Sequence, residues 1–304
     1  MNLAELPNRR VEAWKYSDLR AAAGGALPPA RPSSPERESL AAFAREKGDV
    51  IGMLAAAHGR AERQNIVGKH EAVVGGRVDG FGARLEVLNV VRNAELTRVI
   101  IQNGDDIDLL STHVRLAEGA KFRQFIISEG AKLARIETRV SIEGEGAEVE
   151  LNGVYMCGER RHADFTSVVE HKAPGGTTRQ LVKGVAAKGG RGVFQGKIVV
   201  APHAQKTDAR QYHHGMLLED GAEIYAKPEL MIHADDVQCA HGNTAGGLDE
   251  RALFYMRARG VPEAEARALL IEAFLVEAIP DGLDAAIRDE LTGRIGAWLR
   301  GARP

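Results

Sequence analysis

The chain has 304 residues, of which 40 are basic and 42 are acidic, and its net charge is -2. Charges of both signs are mixed along the chain without a basic block, which argues against a nucleic-acid or anionic-membrane partner. The longest apolar run, at 269–279, is too short to span a bilayer. The first residues lack the apolar segment of a secretion signal, and only two cysteines are present. These features predict a cytoplasmic protein with reduced thiols.

The first 70 residues are predicted to form a largely helical N-terminal region that contains a linker. Glycine and proline are dense between Gly24 and Pro35, where no regular element is expected. Ser34 followed by Pro35 has the pattern of an N-cap with proline in the first helical turn. A helix is therefore predicted from this point to about Lys47.

The segment 71–248 is predicted to be a β-rich core. Ile136, Val140 and Ile142 alternate with polar residues, as in a half-buried strand, and are expected to point inward. Gly-Ala followed by lysine or glutamate precedes apolar residues at 119–121, 130–132, 146–148 and 221–223. No helical pattern separates these turns, which argues against a doubly wound α/β sheet. A sandwich, a barrel and a β-solenoid fit the pattern, and the irregular turns favour the solenoid.

Residues 249–304 are predicted to form a C-terminal helical domain. Asp249 is typical of a helix start, Gly260 of a helix end, and Pro262 of the start of the next helix. The helix after Pro262 carries apolar residues on two sides, and a third helix carries them on one side. The domain is therefore expected to cover one end of the core.

Histidine and cysteine are concentrated near the end of the β-rich segment, at His203, His213, His214, His233, Cys239 and His241. Imidazole and thiolate are soft or borderline metal ligands. If one strand runs through 230–241, Cys239 and His241 share a face with Cα atoms roughly 7 Å apart, so both side chains can reach one metal. A closed zinc site is not favoured, because no C-x2-C or H-x3-H partner is present.

Three other features are interpreted as structural. Cys157, within the run VYMC, is expected to be a small buried residue rather than a nucleophile. Asp235 and Asp236 would point to opposite faces of a strand, so a solvated turn is favoured over an acid/base pair. The glycine-rich run 189–197 lacks the serine or threonine that a phosphate loop carries after its lysine.

A dense series of short motifs follows Phe194 and reaches the C-terminal helices. It comprises 194–198, 204–209, Gln211, 220–222, 227–230, 234–237, Cys239, His241, Gly242, 248–249, 252–255, Arg257, Arg259 and Gly260. Near the N-terminus, Pro7, Arg9, Glu12 and 14–16 form a further motif. Together these motifs resemble the SufB/SufD family of the SUF iron–sulfur assembly machinery, and the form D-D-V-x-C-x-H-G is that of its SufD branch. The stretch 211–215 departs from the family by two extra histidines.

The resemblance implies a mainly β fold whose core is a right-handed parallel β-helix flanked by helical N- and C-terminal segments. It implies a non-catalytic scaffold subunit that pairs with SufB through the β-helix and binds the ATPase SufC through the C-terminal helical domain. It also implies that His241 contributes to a nascent iron–sulfur cluster at the SufB interface, with Cys239 beside it. The cluster would be transient and held in the complex, so the isolated chain would bind no cofactor stably and could form a homodimer.

A competing hypothesis from another class is a cupin-like metalloenzyme. Its ligands would be His213, His214 and His233, which would have to converge inside a barrel together with a carboxylate. A β-helix polysaccharide lyase is a third hypothesis. It needs an aromatic-lined cleft, and only 5% of the residues are aromatic.

Overall fold

The core of the chain is a parallel β-solenoid. The structure is a computed structural model that describes residues 3–25 and 27–301. Two sheets of seven strands each face one another, and successive strands alternate between the two sheets. Neighbouring strands within each sheet are parallel. The predicted β-helix with flanking helices is therefore confirmed, and the sandwich and barrel alternatives are wrong.

The elements follow one another in the order helices, strands, helices. The N-terminal helices are α1 (Leu19–Ala23), α2 (Pro35–Glu46) and α3 (Val50–His58). The strands are β1 (Arg60–Ile66), β2 (Lys69–Gly75), β3 (Phe81–Val90), β4 (Glu95–Gln102), β5 (Ile107–Leu116), β6 (Lys121–Ser128), β7 (Leu133–Ile142), β8 (Glu148–Cys157), β9 (His162–His171), β10 (Thr177–Ala186), β11 (Arg191–Val200), β12 (Asp208–Leu217), β13 (Glu223–Ile232) and β14 (Gln238–Gly246). The C-terminal helices are α4 (Glu250–Ala258), α5 (Glu263–Val276) and α6 (Ala285–Leu299).

The odd-numbered strands form what we call the first sheet, and the even-numbered strands form the second sheet. The solenoid begins at Arg60, inside the stretch 1–70 that the sequence assigned to the N-terminal region. The division of the chain into domains at 1–70, 71–248 and 249–304 stays a prediction. Within the described residues, no helix combines the length and the apolar character needed to cross a membrane.

Each coil of the solenoid consists of one strand from each sheet, and the length of a coil varies along the chain. Asn65 lies opposite Asn89, 24 residues later. Near the other end, Arg191 lies opposite Glu223, 32 residues later. A coil of changing length leaves no fixed period in the sequence. This variation explains why the predicted turns are spaced irregularly although the coils stack in register.

The Gly-Ala turns lie at the corners of the solenoid. Gly119 and Gly146 have positive φ angles of 63° and 67°, and a strand begins two residues after each of them. Glycine adopts this conformation without the steric penalty that a Cβ atom imposes. Between the turns, Ile136, Val140 and Ile142 are at most 2% exposed, as predicted from their alternation.

The N-terminal helices pack on the outer face of the first sheet. Outward-facing Leu85 and Leu109 form one apolar cluster with Leu40 of α2 and Leu54 of α3. The helix predicted after Ser34 is present, and the Ser34 hydroxyl accepts a hydrogen bond from the backbone N–H of Arg37 at 3.3 Å. Burial of this face excludes water from the outer side of the early coils.

The C-terminal helices pack on the outer face of the second sheet. Ile271 and Leu275 of α5 share an apolar cluster with outward-facing residues of five successive even-numbered strands, Val99, Phe125, Val154, Val185 and Met216. The expectation that residues 249–304 cover one end of the solenoid is therefore wrong. The physical reason is that the second apolar side of α5 meets the face of a sheet, and the end of the solenoid stays open.

Candidate functional site

The last coil, formed by β13 and β14, carries the sequence-predicted ligands. The expectation of one strand through 230–241 is wrong, because β13 ends at Ile232 in the first sheet and β14 begins at Gln238 in the second. Cys239 and His241 nevertheless share a face, since they are two residues apart within β14. Both strands are terminal in their sheets, so nothing in either sheet lies beyond them.

Cys239 and His241 face the interior of the solenoid. Cys239 pairs with Ala209 and His241 pairs with Gln211, and both of these β12 residues are fully buried. Side chains at paired positions of a parallel sheet point in the same direction. His241 is exposed and Cys239 is half-buried, because no further coil covers them. Partial burial raises the pKa of the Cys239 thiol, although a hydrogen bond with the backbone of Ala209 opposes the rise.

The three histidines of the cupin hypothesis do not converge. His213 is fully buried and contacts Phe194 and Tyr155, whose ring centroids lie 5.1 and 5.9 Å from its own. His214 is the next residue, so it points to the outer face, where it bonds the Thr244 hydroxyl at 2.7 Å. His233 is exposed in the turn after β13. Among residues 3–25 and 27–301, no group of three or more His, Cys, Asp or Glu is placed to hold a metal ion. The cupin hypothesis is therefore not supported.

A buried hydrogen-bond chain, which the sequence did not reveal, rises towards the last coil. The Tyr155 hydroxyl lies 2.9 Å from Nε2 of His213, and Nδ1 of His213 lies 2.7 Å from Oδ1 of Asn243. Burial lowers the pKa of His213 to about 4, so the imidazole is neutral near neutral pH. Asn243 follows His241 by two residues and shares its face. This spacing of two residues could have indicated that Asn243 belongs to the site. Its contact with His213, however, follows only from the register between β12 and β14.

The layer beneath His241 contains a second polar group, Gln211. It is fully buried, and neither amide atom has a hydrogen-bond partner. Its amide occupies the space in front of Gly196, where an added Cβ would meet the amide nitrogen at 1.6 Å. The glycine in the motif 194–198 and the glutamine at 211 are therefore explained by one contact between sheets.

The remaining sequence candidates are structural. Cys157 is fully buried, and burial raises the pKa of its thiol to about 12, so it is not available as a thiolate. Asp235 and Asp236 are exposed in the turn between the last two strands, and Asp236 pairs with Lys206. The glycine-rich run 189–197 forms a turn and the start of β11.

A family model described as "SUF system FeS cluster assembly, SufBD core domain" matches residues 58–274, which cover the whole solenoid and most of α5. The chain belongs to the SufBD family. It is 33% identical over 222 residues to the iron-sulfur cluster assembly protein SufD of Escherichia coli, covering 72% of this chain and 52% of that protein. It is 34% identical over 243 residues to the chloroplastic protein ABCI7 of Arabidopsis thaliana, covering 78% of this chain and 51% of that protein. The chain thus spans about half the length of these curated relatives.

The N-terminal motif of this SufBD chain lies against the outer face of the first sheet, with contacts to β7 and β13. Trp14 stacks on the buried guanidinium of Arg135, 4.1 Å from the ring centroid. Tyr16 stacks on Tyr225 of β13 with centroids 5.0 Å apart, and Glu12 pairs with Lys227 of the same strand at 2.7 Å. The two regions that carry the family motifs, far apart in sequence, are therefore in contact.

Proposed function

We propose that this chain is a non-catalytic scaffold subunit for iron–sulfur cluster assembly. It pairs with SufB through the last coil of the solenoid and binds the ATPase SufC through its C-terminal helices, in the cytoplasm. Membership of the SufBD family and similarity to a protein named as an iron-sulfur cluster assembly SufD support this role. The nascent cluster is cargo shared between subunits, and the subunit alone holds none stably.

The observation that carries the proposal is the placement of Cys239 and His241 on the inward face of an uncovered last coil. A thiolate and an imidazole are suitable ligands for iron in a sulfur cluster. They supply two ligands, whereas a cluster normally takes four from protein, so the others must come from a partner. A subunit interface at the open end of the solenoid supplies them.

The last coil also offers the main-chain edge through which a partner can bind. β13 and β14 each have one unpaired edge, and every residue of the two strands is at least partly exposed. Such an edge pairs readily with a strand of another chain. Pro228 has no N–H to donate, so pairing along β13 is interrupted at its centre, and we expect β14 to provide the more continuous contact.

The surface proposed for SufC lies on α4 and α5, away from the second sheet. Phe254 is 72% exposed, Tyr255 59% and Leu269 46%, although all three are large and apolar. Clustered exposed apolar side chains mark protein-interaction sites. The opposite side of α5 is anchored to the sheet through Ile271 and Leu275, so this surface is held rigidly relative to the solenoid.

The central test replaces His241 by alanine. We expect His241→Ala to reduce the cluster absorbance per complex after anaerobic reconstitution with SufB and SufC, because one iron ligand is lost. His233→Ala is the matched control, since His233 is also an exposed histidine of the same region but lies in the turn. A normal cluster yield with His241→Ala, in a complex of normal composition, would refute the site.

The SufC assignment is tested on the surface of α4. We expect the double change Phe254→Ser and Tyr255→Asp to abolish co-purification with SufC while the circular dichroism and SufB binding stay unchanged. The control is Val73→Asp, a change at an exposed valine of β2, near the opposite end of the solenoid. Retained SufC binding by the α4 variant would exclude this surface.

A further inference from the structure

The inward face of β14 carries a third polar residue in line with Cys239 and His241. Asn243 pairs with His213 in the register that pairs Cys239 with Ala209 and His241 with Gln211. All three β14 side chains therefore project towards the interior at alternate positions. Asn243 is exposed like His241, because the solenoid ends at this strand.

Asn243 is held from beneath by buried groups. Its Oδ1 can only accept a hydrogen bond, so Nδ1 of His213 must carry the proton and donate it across 2.7 Å. Nε2 of the neutral imidazole then accepts from the Tyr155 hydroxyl across 2.9 Å. The Phe194 ring is nearly parallel to the His213 ring at a centroid distance of 5.1 Å, and the Tyr155 contact holds the Nε2 edge, so the two aromatic residues restrict the orientation of the imidazole. The amide of Asn243 thus has one orientation although its residue is at the surface.

This fixed orientation leaves the Nδ2 group of Asn243 available as a hydrogen-bond donor. With Oδ1 engaged by His213, the Nδ2 group at the other end of the planar amide points away from the core, and it has no hydrogen-bond partner among the described residues. The neighbouring residue Thr244 differs in this respect, because its hydroxyl faces outward and is engaged by His214. A rigid, unpaired donor lies beside two iron ligands.

We propose that Asn243 is a positioning residue of the cluster site, whose Nδ2–H group donates a hydrogen bond to an anionic sulfur, either sulfide or a partner's thiolate, of the nascent cluster. This inference rests on the proposed function. Hydrogen bonds to cluster sulfurs stabilise the more negative, reduced form and so raise the reduction potential. The same bond slows the loss of sulfide from a solvent-exposed cluster.

A purely structural role for Asn243, as an acceptor for His213, makes a different forecast. Asn243→Asp separates the two roles, because the carboxylate keeps the acceptor for His213 but loses the donor and places a negative charge near sulfur. Asn243→Ala removes both groups. Thr244→Ala is the matched control, since it deletes one hydrogen bond to the adjacent histidine between the same two strands, on the outer face.

The experiment uses the full chain in its complex with SufB and SufC, reconstituted with ferrous iron and sulfide. We expect Asn243→Asp to lower the reduction potential of the cluster and to shorten its lifetime in air by roughly three- to tenfold, the worth of one hydrogen bond. Thr244→Ala should leave both quantities unchanged. In the isolated chain, ¹⁵N spectra of His213 should show the Nδ1–H tautomer in wild type and in Asn243→Asp.

The outcomes separate this inference from the proposed function. If His241→Ala abolishes the cluster but Asn243→Asp matches the wild type in potential and lifetime, the donor role is wrong and the scaffold role stands. An Nε2–H tautomer of His213 would also overturn the inference, since Asn243 would then be turned the other way. If the wild-type complex forms no cluster, or His241→Ala has no effect, the proposed function fails and this inference fails with it.

Discussion

The inner coils and the last coil are built from strands of eight to ten residues in continuous register, yet their burial differs. In β11, the inward residues Phe194 and Ile198 are fully buried, because β9 and β13 lie on either side. In β13, which pairs with β11 along its length, no residue is fully buried. In β14, the inward positions hold Cys239, His241 and Asn243, and most of the strand is exposed.

This difference shows that burial in a solenoid comes from the neighbouring coils more than from the strand's own sequence. Each coil contacts only its neighbours, so the last one lacks half of the contacts. Polar ligands at inward positions would be costly in an inner coil, where each unpaired group pays a desolvation penalty. At the open end they remain hydrated until a partner arrives. The inner coils therefore provide the buried contacts that stabilise the solenoid, whereas the last coil carries the proposed cluster ligands.

The largest expected effect concerns the buried Arg135 of the inner coils. Its guanidinium pairs with Asp164 at 2.5 Å and with Glu137 at 2.7 Å, and all three residues are buried. Arg135→Ala leaves the buried Asp164 without a cation and Glu137 with only Arg139, so we expect the free energy of unfolding to fall by about 3–5 kcal/mol. Urea denaturation measures the change. Arg123→Ala, at a half-exposed arginine, should cost no more than about 1 kcal/mol. Equal losses of stability for Arg135→Ala and Arg123→Ala would show that the buried ion pairs contribute no more than the exposed ones.

Two isoleucines on the inward face of the first sheet give the clearest comparison between an inner coil and the last coil. Ile198 of β11 is fully buried, whereas Ile232 of β13, also inward-facing, is 40% exposed. We expect Ile198→Ala to lower the free energy of unfolding by about 2–5 kcal/mol, since it leaves a cavity. Ile232→Ala should cost less than about 1 kcal/mol in the isolated chain. A similar cost at both positions would show that the last coil is covered in solution.

Acid should weaken the inner coils through His171 and His213, which are buried, and His162, which is largely shielded from solvent. Burial lowers the pKa of His162, His171 and His213 to about 4, from an ordinary value of 6.5. Between these pH values the unfolded chain binds more protons than the folded chain, so the free energy of unfolding falls as pH decreases from 6.5 towards 4. The loss should be on the order of 2–3 kcal/mol for each histidine. Urea midpoints at pH 7, 6 and 5 measure it.

His171→Gln provides the control for the acid effect. It removes one of the three titrating groups, so the dependence of stability on pH between 6 and 5 should become shallower by about one third. His233→Gln, at an exposed histidine, should leave the slope unchanged. A slope that is identical in wild type and His171→Gln would show that the buried imidazoles do not cause the acid sensitivity.

The smallest expected effect is that of His241→Ala on folding. The side chain is exposed and forms no hydrogen bond within the described residues, so the free energy of unfolding should change by less than about 0.5 kcal/mol. The same variant is expected to impair cluster formation in the complex. A large loss of stability would instead place His241 among the structural residues of the solenoid.

Local patterns in the sequence predicted the local elements. Ser34 and Pro35 marked the start of α2, and the alternation of Ile136, Val140 and Ile142 gave the inward face of β7. Two errors were non-local. The strand considered through 230–241 is divided at the turn that Asp235 and Asp236 indicated, and the sequence did not show that β13 and β14 lie in different sheets. The position of the C-terminal helices was missed because an apolar stripe does not identify the surface that it covers.

The sequence by itself determined that the middle of the chain consists of short strands and turns, that helices flank it, and that Cys239 and His241 share one face of a strand. Each follows from a period of two or of 3.6 residues, or from the backbone freedom of glycine, which are properties of neighbouring residues. Only the tertiary structure decided that β14 is the last strand of its sheet and that Asn243 lies above His213, thirty residues before it. Both facts depend on the register between coils, and because the coils differ in length, that register is set by packing across the interior and is not written in any local pattern.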